Sequence, residues 1–424
     1  MTDAIRPPTE HVGRAYGRKP GVPDPVLTQV GPGTPGGEML RRYWQPIALS
    51  SEATAFPKQI RRYGEDLILF RAGNGEVGLV TPYCIHRGAS LYYGKVEEDG
   101  IRCAYHGWKF GCQGAVLDQP CEPERGRSKH RLRQPWYPVI EKFGAVWAYM
   151  GSPEKQPLFP IFSCFDQELG DDELIIAIYM NEDKGAVDFP SKFNWFQHYD
   201  NGPDHYHIQV LHWDHSGPQF YDNRYSVAPQ SIEFAYSDKG DSTLVTSRRD
   251  LGNGETWVRL EQILVPNIYA LPPFHDDGPC QDLWFFVPFD DTTYVQMSIS
   301  RVSKSFSFDL RDFHGMGPNM KLWSEMSSEE HQRYPSDSEV QGSQWGGLTC
   351  HSEENLAGSD VGVVKNRLLW KRQVKAVQQG GDPVNTAFRE EDRRIEIVGG
   401  SWMERDGRRI EGYTFEQARQ FRRI

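Results

Sequence analysis

The residues best suited to chemistry in this chain fall between positions 84 and 106. There Cys84-Ile-His86-Arg-Gly and Cys103-Ala-Tyr-His106-Gly-Trp put one cysteine and one histidine on each of two short segments. Two thiolates and two imidazoles suit a [2Fe-2S] cluster in which Cys84 and Cys103 hold one iron and His86 and His106 hold the other. Neutral imidazoles make that second iron easier to reduce than an all-thiolate site. The competing arrangement, a structural zinc site of two cysteines and two histidines, normally pairs like with like. Here each segment supplies one of each. Gly88 and Gly107 follow the histidines, and glycine allows tight turns that bring backbone N–H groups near cluster sulfurs.

A second concentration of metal-ligating side chains runs from Asn194 to His215. His198, His205, His207, His212 and His215 lie within 18 positions, beside Asp200, Asp204 and Asp214. Such density points to a metal. In a regular helix His205 and His212 share a face, whereas His207 and His212 diverge by roughly 140°. Spacing alone therefore favours His205 with His212, or a helix that is not regular.

Together, Cys84-x-His86-Arg-Gly and Cys103-x-x-His106-Gly-Trp-Lys-Phe resemble the Rieske domain of the non-haem iron aromatic ring-hydroxylating oxygenases. Val30-Gly-Pro-Gly-Thr-Pro-Gly-Gly-Glu-Met-Leu-Arg-Arg-Tyr-Trp44-Gln-Pro is similar to the phthalate-dioxygenase-like branch, which includes dehydrodivanillate O-demethylase. The resemblance runs from about residue 28 to about residue 385. It implies that Asp204-x-x-His207-x4-His212 carries two ligands of a mononuclear Fe(II), His207 and His212, on a distorted backbone; a π-type bulge would reconcile their spacing. A non-haem iron that activates O2 takes two histidines and one carboxylate on one face. Among Asp337, Glu339, Glu353, Glu354 and Asp360, the resemblance selects Asp337, which opens a segment similar to the family's Asp-x3-Gln-x-Ser. It also places Asn201 near the iron. Asp204 matches the acid that bridges a cluster histidine of one subunit to an iron-binding histidine of its neighbour, which implies a homotrimer or hexamer. Two departures are Asp200, where glutamate is commoner, and Trp345, which interrupts a stretch of small residues.

The implied reaction takes electrons from NAD(P)H through a separate reductase or ferredoxin, since nothing in the chain reads as a dinucleotide- or flavin-binding segment of its own. With O2 as co-substrate, the chain would O-demethylate or hydroxylate an aromatic carboxylate, including lignin-derived ones, with a slight lean to O-demethylation. Trp257, Phe274, Trp284, Phe285 and Phe286 could line an apolar pocket, and Arg248, Arg249, Arg259 and Arg301 could meet a substrate carboxylate. The rivals from other classes are a Rieske electron carrier without a catalytic iron and a zinc-regulated binding module.

Positioning two such centres takes two units, and 424 residues suffice for two cores. An N-terminal arm with a short helix at Gly37 to Trp44 is expected over 1–44. An antiparallel β Rieske domain follows over 45–155, with strands at Leu67–Phe70, Val77–Val80 and Ala145–Tyr149. The turn-rich Gly151-Ser-Pro-Glu-Lys-Gln-Pro marks the boundary. Residues 156–424 read as a catalytic domain of antiparallel sheet flanked by helices, giving an α+β, helix-grip-like whole. Its strands are expected at Ser231–Tyr236, Ser242–Ser247, Thr256–Val265, Leu283–Val287 and Thr293–Arg301. A helix from Asp360 to about Gln379 would be capped by Ser359 or Asp360 and carry Val361, Val364, Leu368 and Val377 at mostly helical spacing. No apolar run approaches the roughly 20 residues of a membrane helix. A net charge of -11 without a Lys/Arg cluster argues against nucleic acid. The start carries no export signal, and seven scattered cysteines suit a reducing cytoplasm.

Overall fold

The structure, a computed structural model, describes residues 19–180, 190–220, 222–252, 254–273, 277–305, 321, 325–411 and 417. Its largest element is an antiparallel sheet whose main path runs Glu173–Tyr179, Tyr294–Ser303, Asp282–Pro288, Ile268–Leu271, Glu255–Leu264, Ser242–Gly252 and Ser231–Tyr236. Gly400–Arg405 adds to Glu255–Leu264 and carries Arg408–Ile410 and Gly278–Pro279, completing ten strands. The five strands expected from alternation all form. Glu173–Tyr179 escaped because every one of its residues is half-buried, and Ile268–Leu271 because it is four residues of unbroken burial.

Strand parity distributes the arginines. Arg249 stands opposite Trp257, and Ser247 opposite Arg259, on the inward face; Arg248 stands opposite Val258 on the other.

The first region is built from three small antiparallel sheets. Strand Glu65–Arg71 divides two cores: Leu67 and Leu69 join the main core with Trp147, Phe285 and Phe286, while Ile68 and Phe70 join a second core containing Cys84 and Cys103. Burial on both faces explains its run of apolar residues.

The helices differ from expectation in two places. The first spans Pro35–Leu40, not Gly37 to Trp44: Thr34 caps it by accepting from the Gly37 N–H, Pro35 sits in its first turn, and Trp44 already begins strand Trp44–Leu49. Gly31-Pro-Gly33-Thr-Pro-Gly36 has the glycine spacing of a dinucleotide loop. It follows the short helix Pro25–Thr28 and leads into a six-residue helix, so the strand-turn-helix setting of such a loop is missing. The long helix spans Val361–Gln378 with Asp360 as N-cap, but it buries Val363, Leu369, Trp370 and Val374. Val361, Val364 and Leu368 face outward. Among the described residues no helix is long and apolar enough to cross a membrane.

Candidate metal centres and the adjoining cavity

The two Cys-His segments fold as near copies of one another. In each, the cysteine is followed by a three-residue turn, and the glycine N–H returns to the cysteine carbonyl: Gly88 to Cys84 at 2.8 Å and Gly107 to Cys103 at 3.1 Å. Both glycines have positive φ, 74° and 70°, which a side chain would resist. The Cys84 N–H donates to the Ala89 carbonyl, and the Cys103 N–H to that of Trp108. Residues remote in sequence hold the loops. Fully buried Gln134 accepts from the Ile85 N–H and donates to the Thr81 and Tyr83 carbonyls; Arg102 donates to the Gly107 carbonyl at 2.7 Å. The His86 and His106 rings meet edge to face at 4.5 Å, and His86 stacks flat on Trp108 at 4.6 Å.

Two buried sulfurs and two half-buried imidazoles thus converge, which is the donor set a Rieske cluster needs. Burial first, and the neighbouring Cys103 sulfur second among the raising causes, push the Cys84 thiol up to about 11. A thiol raised this far keeps its proton at neutral pH, so metal loading must displace it from Cys84.

The second centre forms where the chain leaves regular helix. Tyr206–Gln209 is α-helical and Val210–His215 is a π-helix. The wider π turn swings His212 onto the face of His207, and one ligand atom from each of His207, His212 and Asp337 lies within 4.8 Å of the others. His212 Nε2 is 3.1 Å from Asp337 Oδ2, and His207 Nε2 is 3.6 Å from Asp337 Oδ1. His205, which regular spacing would favour, points elsewhere: its Nε2 lies 3.0 Å from Glu261 Oε2. Asp337 opens helix Asp337–Ser343. Its Oδ1 accepts from Asn201 Nδ2 and from Gln341 Nε2, each at 3.1 Å.

The imidazole tautomers follow from their outer partners. His212 Nδ1 lies 2.7 Å from Gln219 Oε1, and a carbonyl oxygen only accepts, so Nδ1 carries a proton and Nε2 is the nitrogen turned toward Asp337 and available to a metal. Gln219 also donates to the Pro335 carbonyl at 3.2 Å, tying the histidine element to the Asp337 element. Asp204 Oδ2 faces His207 Nδ1 at 3.6 Å. Burial opposes charge on His207, yet Asp204 and Asp337 raise it to about 9. Burial likewise works against the Asp337 carboxylate, but His212, His207 and His198 hold it far below the usual range. Two imidazoles and a carboxylate whose ligand atoms lie this close together suit a divalent iron.

The triad opens on a cleft enclosing about 690 Å³ of space continuous with solvent, with Met180, Ile208, Phe220, Leu271 and Trp284 as apolar wall. Arg259 and Glu261 also line it, paired at 2.9 Å, and Arg259 donates further to the Pro272 and Pro273 carbonyls.

The other expected substrate residues stand elsewhere. Arg248 pairs with Glu404 on the opposite sheet face, Arg301 pairs with Glu173 at the sheet margin, and Arg249 and Trp257 lie buried behind the cleft wall. Phe285 is in the main core, as is Phe286; Phe274 lies outside the described residues. Behind the triad, Arg367 bridges Asp200 and Glu354 at 2.6 Å each, and burial raises the Asp200 carboxyl to about 6 against the pull of that guanidinium.

Comparison with known proteins places this geometry. Residues 43–140 match the family described as Rieske [2Fe-2S] domain. The chain is 43% identical over 398 residues to a phenoxybenzoate dioxygenase subunit alpha of Ectopseudomonas oleovorans, covering 93% of this chain and 95% of that one. It is 34% identical to the tert-butanol monooxygenase / tert-amyl alcohol desaturase oxygenase subunit of Aquincola tertiaricarbonis, over 84% of this chain and 77% of the other. To the 5,5'-dehydrodivanillate O-demethylase oxygenase subunit of a Sphingobium species it is 32% identical, over 84% and 81%. In fold it is similar to the terminal oxygenase of carbazole 1,9a-dioxygenase from Nocardioides aromaticivorans, with a TM-score of 0.56 at 19% identity, covering 84% of this chain and all of the other.

Proposed function

The chain belongs to the Rieske non-haem iron oxygenases, as a terminal oxygenase component of the phthalate-dioxygenase-like branch, and on that premise we propose that it oxygenates an aromatic acid carrying an ether. The observation that carries this reading is the His207–His212–Asp337 triad at the floor of an apolar cleft. Two of the relatives support the substrate class by name, since a phenoxybenzoate and a methoxylated biaryl acid are both aryl ether acids. Oxygenation at the ring carbon bearing the ether oxygen, or at a methyl group, gives in either case a hemiacetal-type product that collapses with loss of a phenol or of formaldehyde. The 43% relative is a dioxygenase, which moves the balance from demethylation toward attack on the ring.

Cys84, His86, Cys103 and His106 would hold the cluster, and His207, His212 and Asp337 a mononuclear Fe(II). When bound, these groups supply single electrons and the activation of O2. Asn201 and Gln341 fix the Asp337 carboxylate, Gln219 fixes His212, and Asp204 orients His207. The outer side of Asp204, which is partly exposed, is free to meet a cluster histidine of a neighbouring subunit in a homotrimer or hexamer. Met180, Ile208, Phe220, Leu271 and Trp284 exclude water around the substrate. Electrons come from NAD(P)H through a separate reductase or ferredoxin. The seven cysteines are unpaired, which suits a reducing cytoplasm.

Two measurements test the reading. Anaerobic reconstitution should give about three irons per chain, and His207→Ala about two with the cluster spectrum intact. Aryl ether acids, run with a surrogate reductase and scored for NADH use, phenol and formaldehyde, should yield a phenol or formaldehyde. Turnover of neutral arenes alone would sink the proposal.

A further inference from the structure

Of the arginines expected to touch substrate, Arg249 stands one ring deeper than the cleft surface. Arg224 and Arg249 lie 4.2 and 5.4 Å from the centre of the Trp257 ring, and Arg249 and Arg259 each lie 5.6 Å from that of Tyr225. Arg224 is neutralised by Asp222 and Asp277, and Arg259 by Glu261. Arg249 is fully buried, donates to the Val227 carbonyl and Ser247 Oγ, and has no carboxylate partner among the described residues; its Nη2 makes no hydrogen bond. Burial pulls its pKa down to about 10, so the guanidinium is still charged at neutral pH, and Glu261 and Asp222 act on it without forming a direct ion pair.

Tyr225 stands between that charge and the cleft. Its ring is only 2% exposed and lines the cavity. Its hydroxyl is hydrogen-bonded by no described residue and is not among the fully enclosed polar atoms, while the residue itself lines the cavity. Burial raises the phenol to about 12, which leaves it a neutral donor. A hydroxyl donor backed by a cation that has no direct ion pair is complementary to an anion. Phe220 separates Tyr225 from the metal-binding end: its ring is 4.7 Å from that of Tyr225 and 4.7 Å from that of His212. The Tyr225 ring therefore stands on the side of Phe220 away from His212.

We propose that Tyr225 Oη hydrogen-bonds the substrate carboxylate at the end of the cleft away from His207, His212 and Asp337, with Arg249 supplying the positive field behind its ring. Tyr225 thereby selects an acid over its neutral analogue. This assignment rests on the aromatic-acid reading above.

The test uses the holoenzyme under anaerobic conditions. Calorimetric titration compares 3-phenoxybenzoate with 3-phenoxybenzyl alcohol in the natural protein and in Tyr225→Phe. The natural protein should bind the acid at least about tenfold more tightly than the alcohol. Tyr225→Phe should lose about 10- to 100-fold for the acid, the range of a hydrogen bond to a charged group, and change less than about twofold for the alcohol. Equal losses on both ligands, no loss on the acid, or a natural protein without preference for the acid would each overturn the assignment. Turnover is scored separately. A natural protein that binds the acid tightly but oxidises neither probe counts against the proposed reaction and leaves the Tyr225 result standing.

Discussion

At the residue scale, the side chains that hold the ligands matter as much as the ligands. Gln219 fixes the tautomer of His212 and also bonds the Pro335 carbonyl just before Asp337, so it couples two elements that each deliver a ligand. Gln219→Leu should lower mononuclear iron affinity about 10- to 100-fold and leave the cluster spectrum unchanged, as iron titration would show. Glu261 offers a pH-dependent case. His205 and Arg259, facing it in a buried site, overcome the opposing effect of burial and press its carboxyl down to about 2. A depressed carboxyl stabilises the fold fully above the ordinary range near 4.5 and loses that contribution as pH falls toward about 2. Glu261→Gln should therefore cost about 3 kcal/mol at neutral pH, with the gap to the natural protein closing below about pH 4.5. Denaturant unfolding between about pH 7 and pH 3 measures it; a gap independent of pH would show that the carboxylate charge is not what the fold uses.

At the element scale, the short helix Trp195–Tyr199 is placed by the long helix Val361–Gln378. Trp370 is buried and meets Trp195 at 5.3 Å and Phe196 at 5.5 Å, and the same short helix leads directly to Asn201. Trp370→Ala should cost about 4 kcal/mol. Because it loosens the seat of Asn201, it should also lower the ratio of iron to acid-labile sulfide while the cluster absorption stays. A lost cluster with retained mononuclear iron would contradict this. Much of this arrangement was legible beforehand. The paired Cys-x-His and Cys-x-x-His segments announced two matched loops, and the resemblance, which made ligands of both His207 and His212, implied a distorted helix between them, which Val210–His215 supplies. Strand parity could have separated Arg248 from Arg249, since adjacent strand residues face opposite ways. Gln134, Gln219 and Gln341 were not legible. They are ordinary polar residues, and only the fold brings them beside a loop or ligand. The buried stripe of the long helix was misjudged for a related reason: Val361, Val364 and Leu368 keep helical spacing, but the bulky Leu369 and Trp370 turn the neighbouring face inward.

At the scale of the whole molecule, two of the places where apolar and aromatic groups stay exposed lie beside the metal centres. Tyr83, Tyr92, Tyr93 and Tyr105 are exposed on or near the cluster loops; Tyr206 and Val210 are exposed on the segment after Asp204, as are Val340 and Trp345 in and just after the Asp337 helix. Each chain thus carries two unlike surfaces, and joining one to the other between copies would be the head-to-tail contact that the proposed homotrimer or hexamer requires. In such a ring the cluster ligands of one chain act with the iron ligands of the next, across Asp204. Co-expression separates this from work within a single chain. Cys103→Ser removes a cluster ligand and Asp337→Ala an iron ligand, so each variant alone should be inactive. When the two assort at random, about one contact in four, counted over mixed and pure rings together, pairs an intact cluster site with an intact iron site on adjacent chains, and about a quarter of the natural activity should return. Adding Asp204→Asn to the Cys103→Ser chain, which carries the intact iron site, should abolish that recovery without dissociating the ring, as light scattering would confirm. A mixed ring of normal size without activity would mean that each chain's two centres serve only one another.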